Sequence, residues 1–268
     1  MLVMLGAAFA APLGLAQTAA AGKMTIERLK ERADARDAQA QYELGRRYAG
    51  GEGVAVDRER ARKLYHDAAD QGLAAAEYEL ARSFGGAFGD QFAPQQAVVY
   101  LERAAKHGHV SAQVDLGFAY LNGTATVVKN AGLAFYWFER AAKAGAVPAQ
   151  CALGDLYRLG RGVPQDDEQA VKWYSRSAVT KDRCAPKAQF ELYASYESGK
   201  GVRQDLKTAT AWLQRAAEAG NPRAQDALGR NYRTGHGVSR NPELARFWLL
   251  KSREGAAPHE DEHDENHH

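Results

Sequence analysis

The feature that most constrains the fold of this chain is an internal repeat of 36 to 39 residues. Each repeat contains an alanine, a leucine and an aromatic residue at intervals of four, and residues at i, i+4 and i+8 lie on one side of an α-helix. The leucines that mark this first helix are Leu44, Leu80, Leu116, Leu153, Leu192 and Leu228. Six copies of one helical unit predict a solenoid in which neighbouring repeats share a core.

A second helix in each repeat carries apolar residues at i, i+3, i+4 and i+7. Large residues beside small ones allow two helices to interdigitate. The four tryptophans of the chain all occupy one position of this second helix, at Trp137, Trp173, Trp212 and Trp248. We therefore predict that they belong to the core and do not form an aromatic binding cage.

The link between the two helices contains G-x-G-V in four repeats, as in GRGVPQD from Gly160 to Asp166. The first glycine is expected to end the first helix in the left-handed conformation, and the second to allow a tight turn. The aspartate is expected to cap the second helix. Repeats two and three lack this link, so we expect loops of different shape there. Ala81 and Tyr193 replace the glycine that elsewhere follows the leucine, so we expect less close helix contact at these two positions.

The combined pattern A-x-x-x-L-G-x-x-Y-x-x-G-x-G-V-x-x-D-x-x-x-A-x-x-W-[YFL]-x-x-A-A resembles the Sel1-like relatives of the tetratricopeptide repeat. The resemblance implies an all-α fold, a right-handed α-solenoid of six stacked helix-turn-helix repeats over residues 38–256. Residues 22–37 align with a second helix alone, which predicts an N-terminal capping helix. Sel1-like proteins serve as assembly and signalling adaptors, and the resemblance implies that role here. Cysteine-rich relatives have been linked to β-lactam binding. This chain has only two cysteines, so the resemblance implies that activity only weakly.

Residues 1–21 are uncharged and rich in alanine and leucine, with small residues that fit a signal-peptidase site. We expect a signal peptide, export to the periplasm or beyond the cell, and no membrane span after its removal. A basic segment before the apolar run is missing, so an uncleaved anchor and a non-exported apolar extension remain alternatives.

The charge distribution favours a protein partner. The chain has 35 basic and 33 acidic residues, and five of the acids lie in the last residues of the chain, so the repeats themselves are moderately basic. No run of lysine or arginine is present, which argues against nucleic acid. This moderate basic excess favours an acidic protein or peptide partner, or an anionic surface. No catalytic string or dinucleotide fingerprint occurs, so we predict no enzyme and no cofactor, and a hydrolase-like enzyme is the least favoured interpretation.

Two features allow alternatives. Cys151 and Cys184 stand near the starts of adjacent first helices, so in an oxidising compartment they form a disulfide, or else one thiol is buried and the other exposed. Residues 257–268 are too polar to bury a core and predict a disordered tail. The histidines of this tail are candidates for weak divalent metal binding and support a second function, metal handling in the cell envelope: His259, His263, His267 and His268.

The binding surface is predicted from the first-helix positions that remain once the core is assigned. Residues two before and two after each leucine should line the concave groove of a tetratricopeptide-like superhelix. The candidates are Tyr42, Arg46, Tyr78, Arg82, Phe118, Phe190 and Arg230. Aromatic rings beside arginine are typical of binding hot spots. The alternative is that the tyrosines pack between repeats and the arginines are solvated. The sequence as a whole predicts an exported scaffold that binds a protein or peptide.

Overall fold

The computed structural model describes residues 24–89 and 92–254, and these residues form thirteen α-helices and no named strand. A first unit ends at Gln71 and a second begins at Gly72. The first unit contains α1 (Ile26–Asp34), α2 (Ala38–Gly50) and α3 (Arg58–Ala69). The second contains α4 (Ala74–Phe84), α5 (Pro94–Lys106), α6 (Val110–Asn122), α7 (Ala131–Lys143), α8 (Val147–Leu159), α9 (Asp167–Ser177), α10 (Ala185–Ser198), α11 (Leu206–Glu218), α12 (Pro222–Thr234) and α13 (Pro242–Glu254).

The predicted all-α fold of helix-turn-helix repeats is confirmed. Even-numbered helices are the first helices of the repeats, odd-numbered helices from α3 onward are the second, and within each unit consecutive helices pack on one another. The predicted signal peptide at 1–21 and tail at 257–268 lie outside the described residues. No described helix is long and apolar enough to cross a membrane.

The predicted helix ends are confirmed. The side chains of Asp57, Asn130 and Asp166 each accept a hydrogen bond from a backbone N–H at the start of the following helix. Gly160 ends α8 with φ +63°, in the left-handed region where glycine avoids a steric cost. The local chemistry of caps and glycines therefore sets the length of the helices as the sequence indicates.

The second glycine of the G-x-G-V link has a role beyond the predicted tight turn. A Cβ added to Gly162 would lie 2.2 Å from the carbonyl oxygen of Ala131, the first residue of the preceding second helix. Gly201 stands equally close to the carbonyl of Asp167. The link of one repeat thus packs directly on the repeat before it, and only glycine leaves room for this contact.

The leucines of the first helices form the centre of the core, and five of them are between 0 and 1% exposed while Leu44 is 3% exposed. The glycine after the leucine receives an aromatic ring, since a Cβ at Gly154 would lie 2.4 Å from the Tyr174 ring. The expectation of looser contact at Tyr193 is wrong. Tyr193 is buried and packs in one cluster with Leu213 of the second helix.

The tryptophan prediction holds fully for two residues and partly for two. Trp137 and Trp173 are buried, at 7 and 8% exposure. Trp212 and Trp248 are partly buried and pack against the edge of the last hydrophobic cluster. The guanidinium of Arg215 lies 4.9 Å from the Trp212 ring centre, so the outer side of that ring is covered by a cation.

A row of glutamines joins consecutive repeats, and sequence reasoning missed it. The side-chain amide of Gln113 donates to the carbonyl of Ala105 at 3.1 Å, and that of Gln225 donates to Ala217 at the same distance. Each carbonyl belongs to the end of the preceding second helix, where backbone acceptors lack helical partners. Repeat two has Glu77 instead, fully buried, whose carboxylate accepts from Arg103 at 3.0 Å and contacts His107 at 2.8 Å.

Candidate functional site

The candidate residues of the first unit lie on α2. Arg46 is exposed, and its Nη1 lies 3.3 Å from a carboxylate oxygen of Glu43. Tyr42 is half-buried, and its ring centre lies 6.0 Å from that of Tyr65 on α3. The tyrosine therefore packs within its own repeat and keeps part of its ring accessible.

In the second unit, Tyr78 on α4 contacts two groups of α6, its capping residue His109 and Asp115. Its hydroxyl donates to Oδ2 of Asp115 at 2.8 Å, and its ring stacks on His109 with centres 4.3 Å apart. Burial, followed by the hydrogen bond to Asp115, raises the pKa of Tyr78 to about 12. The hydroxyl thus remains a neutral donor. Arg82 lies one turn further along α4 and is exposed, with Nη1 3.1 Å from Glu79.

The remaining candidates lie on three other first helices. Phe118 is 38% exposed and packs edge to face on Phe138. Phe190 is half-buried beside Tyr193, with ring centres 5.6 Å apart. Arg230 is exposed and pairs with Asp226 at 2.7 Å.

All three candidate arginines pair with a carboxylate on their own helix, a property that sequence reasoning overlooked. The signal was present, because Glu43 and Glu79 stand three residues before Arg46 and Arg82. Pairs of this kind at a surface contribute little to stability, typically below about 1 kcal/mol, and they exchange readily. The surface is therefore locally balanced in charge and does not present an excess of positive charge at these positions.

First helices of neighbouring repeats lie side by side in the second unit, since α6 contacts α8 and α8 contacts α10. Ion pairs cross from one to the next: Lys187 pairs with Asp155, and Nε of Arg158 lies 3.3 Å from Glu191. A pocket of about 440 Å³ opens between repeats four and five, with Arg158 and Glu191 on its wall and Lys200 at the adjoining link. Its mixed lining offers both donors and acceptors to a side chain from outside.

Cys151 and Cys184 are joined by a disulfide in the structure, with Cα atoms 6.5 Å apart. Cys151 is the fifth residue of α8, and Cys184 directly precedes α10. The bond therefore ties the starts of two consecutive first helices together.

The histidines proposed to bind metal, His259, His263, His267 and His268, lie outside the described residues. Within the described ranges, no group of three or more histidine, cysteine, aspartate or glutamate side chains is placed to hold a metal ion. The metal-handling alternative thus rests on the composition of the tail alone.

Comparison with known proteins identifies the repeats. The Sel1 repeat matches residues 38–73, 74–109, 110–145, 147–178, 186–221 and 222–255, which together are most of the chain. The segment between the fourth and fifth matches contains Cys184, in the one long insertion between repeats. No curated protein matches the chain.

Two solved structures resemble it over most of its length. A protective antigen present in uropathogenic Escherichia coli strains, which displays an SLR fold, is 31% identical with a TM-score of 0.75. That match covers 87% of this chain and 49% of the antigen, so the chain spans about half the antigen's length. A Sel1 repeat protein from Oxalobacter formigenes is 29% identical with a TM-score of 0.63, over 85% of this chain and 93% of that one. With six matched repeats in succession, this chain belongs to the Sel1 repeat family.

Proposed function

We propose that this protein is an exported, non-enzymatic scaffold that holds a protein or peptide against the first helices of its repeats. Sel1 repeats are typically protein-interaction scaffolds, which supports the general role. The observation that carries the specific proposal lies on α4, where the half-buried ring of Tyr78 stands one turn before the exposed Arg82 and close enough to interact with its charge. Rigid aromatic area beside guanidinium donors is the composition of binding hot spots.

The contacts of Arg82 support a partner that carries carboxylates. The pair with Glu79 uses only Nη1 of the guanidinium. Arginine has five N–H donors, so its other nitrogens can bind a partner carboxylate while the pair is kept. An extended segment with an acidic group beside an apolar side chain satisfies both the arginine and the ring next to it.

The proposed location outside the cytoplasm rests on residues 1–21 and on the disulfide. Disulfides persist in oxidising compartments such as the periplasm and the extracellular space. A bond between Cys151 and Cys184 suits such a compartment.

The test is capture of partners from the native envelope with the wild-type protein and with the double variant Arg46→Glu and Arg82→Glu. Each substitution would replace a positive charge by a carboxylate beside an existing one, Glu43 or Glu79. The two negative charges together would repel an acidic partner. We expect the partners found by mass spectrometry with the wild type to be lost from the double variant.

The matched control is Arg183→Glu with Arg203→Glu, which makes the same charge change at exposed positions outside the first helices. The control should keep the partners, and both variants should keep the helical spectrum and melting temperature of the wild type. Equal capture by the wild type and the folded double variant would exclude Arg46 and Arg82 as contacts of the partner.

A further inference from the structure

The outer face of α13 differs from the same face of every earlier second helix in the second unit. In repeats three and five the second helix ends in buried alanines, such as Ala142 and Ala217, which pack against the next first helix. At the equivalent position α13 has Arg253, which is exposed. Where repeat four has buried Val171, α13 has exposed Arg246. At these two contact positions α13 therefore has exposed arginines in place of the buried apolar residues of the earlier repeats.

This face nevertheless contains apolar surface. A pocket of about 350 Å³ has Pro242, Ala245, Leu249 and Leu250 in its lining, together with three arginines. Leu250 is 48% exposed, and Phe247 nearby on α13 is 51% exposed. Exposed apolar area of this kind on a terminal helix is a site for association.

The three arginines at this pocket are Arg233, Arg246 and Arg253. Within the described ranges none of them forms an ion pair, in contrast to Arg46, Arg82 and Arg230, which all do. The pocket therefore combines an apolar floor with three arginines that have no carboxylate partner among the described residues. Its occupant must supply both carboxylates and small apolar groups.

The sequence that follows α13 has this composition. Residues 255–268 read GAAPHEDEHDENHH, with two alanines and a proline before five acids. An extended chain spans about 3.3 Å per residue, so the acids at positions 260 to 265 can reach about 20 to 36 Å from Glu254. The thirteen residues of α13 span about 20 Å, so every arginine of the pocket lies within reach.

We propose that residues 256–265 dock on the α13 face, with the Ala-Ala-Pro segment over Leu249 and Leu250 and the acids against the three arginines. A tethered segment competes at a local concentration in the millimolar range, so weak contacts suffice to keep it in place. The docked segment covers the apolar side chains of the α13 face and neutralises its three arginines.

The test is chemical modification of arginine in the full chain with phenylglyoxal, mapped by mass spectrometry. The comparison variant carries Glu260→Gln, Asp261→Asn, Glu262→Gln, Asp264→Asn and Glu265→Gln. A small set of surface ion pairs can stabilise the docked segment by about 1 kcal/mol. Docking of that strength slows the modification of the covered arginines about fivefold. We therefore expect Arg246 and Arg253 to react about fivefold faster in the variant. Arg161 and Arg203, in links remote from α13 in sequence, are the internal controls and should react equally in both proteins.

High salt should remove the difference between the two proteins, because ion pairs at a surface are screened. The substitutions lie outside the repeats, so helical content and melting temperature should stay unchanged. Equal modification of Arg246 and Arg253 in both proteins at low salt would overturn the proposal. Protection that grows with protein concentration, together with a dimer in sedimentation, would also overturn it and assign the face to a second copy of the chain.

Discussion

At the scale of single residues, the glycines of the links show how strongly one missing side chain can determine the packing of repeats. Gly162 has a φ of +74°, and the carbonyl oxygen of Ala131 leaves no room for a Cβ at this position. Sequence reasoning predicted a glycine for the turn, which was correct, but could not predict the contact with Ala131. That contact depends on where the preceding helix begins in space.

We predict that Gly162→Ala destabilises the protein by several kcal/mol, measured by urea unfolding. The left-handed backbone alone costs an alanine roughly 1 to 2 kcal/mol. Displacement of the neighbouring helix adds to this cost. Gly220→Ala is the matched control, since Gly220 has φ +87° and no atom within 4 Å of its added Cβ. If both variants lose the same stability, the packing role of Gly162 is wrong.

A second residue-scale prediction concerns His109, which caps α6. Its Nδ1 accepts a hydrogen bond from the backbone N–H of Ala112 at 3.3 Å, and this requires an unprotonated nitrogen. Burial lowers the pKa of His109, while Glu79 and Asp115 act in the opposite direction. The unfolded chain therefore binds the proton more tightly, so the contribution to stability is full above a pH of about 6.5 and is lost as the pH falls.

The measurement is the free energy of unfolding at pH 7.5 and at pH 5 for the wild type and for His109→Asn. Asparagine caps α12 in the same way through Asn221, and it does not titrate. We expect the fall in stability on acidification to be smaller in His109→Asn. His236→Asn is the control, because His236 lies beside Glu197 and caps no helix. An unchanged pH dependence in His109→Asn would contradict the capping role.

At the scale of the helices, the sequence predicted the most where the signal is local. Periodicity placed the first and second helices, and the caps and glycines placed their ends. The glutamine row escaped prediction, because its partners are carbonyls of a different helix and nothing in one repeat distinguishes Gln113 from a solvated side chain. The carboxylate partners of the candidate arginines, in contrast, are predictable from sequence, because they stand three or four residues before each arginine on the same helix.

The disulfide gives a prediction at this scale. Non-reducing mass analysis of exported protein should find Cys151 joined to Cys184, and two freely alkylated thiols would contradict it. The bond closes a loop with a sequence separation of 33 residues. Restriction of the unfolded chain by such a loop is worth roughly 3.7 kcal/mol. Replacement of both cysteines by serine should lower the free energy of unfolding by about that amount relative to the oxidised wild type.

At the scale of the whole molecule, the repeat count and the helical class follow from sequence, whereas the chemistry of the surfaces does not. Exposed residues in successive repeats share no periodic constraint, so their partners depend on the neighbours that folding brings together. Tyr78 illustrates this, because its hydroxyl is bound by Asp115 of the next repeat. The candidate surface could be located from the sequence, but its balance of charge became visible only with these contacts.

The disulfide between Cys151 and Cys184 also affects how the protein unfolds under mechanical force. When tension is applied along the chain, repeats that share a core only with their neighbours detach one at a time from the ends. The residues enclosed by the disulfide cannot be drawn out, which withholds roughly 100 Å of extended chain. Under load the segment from Cys151 to Cys184, which contains most of the fourth repeat, would therefore stay closed while the repeats outside it unfold and refold.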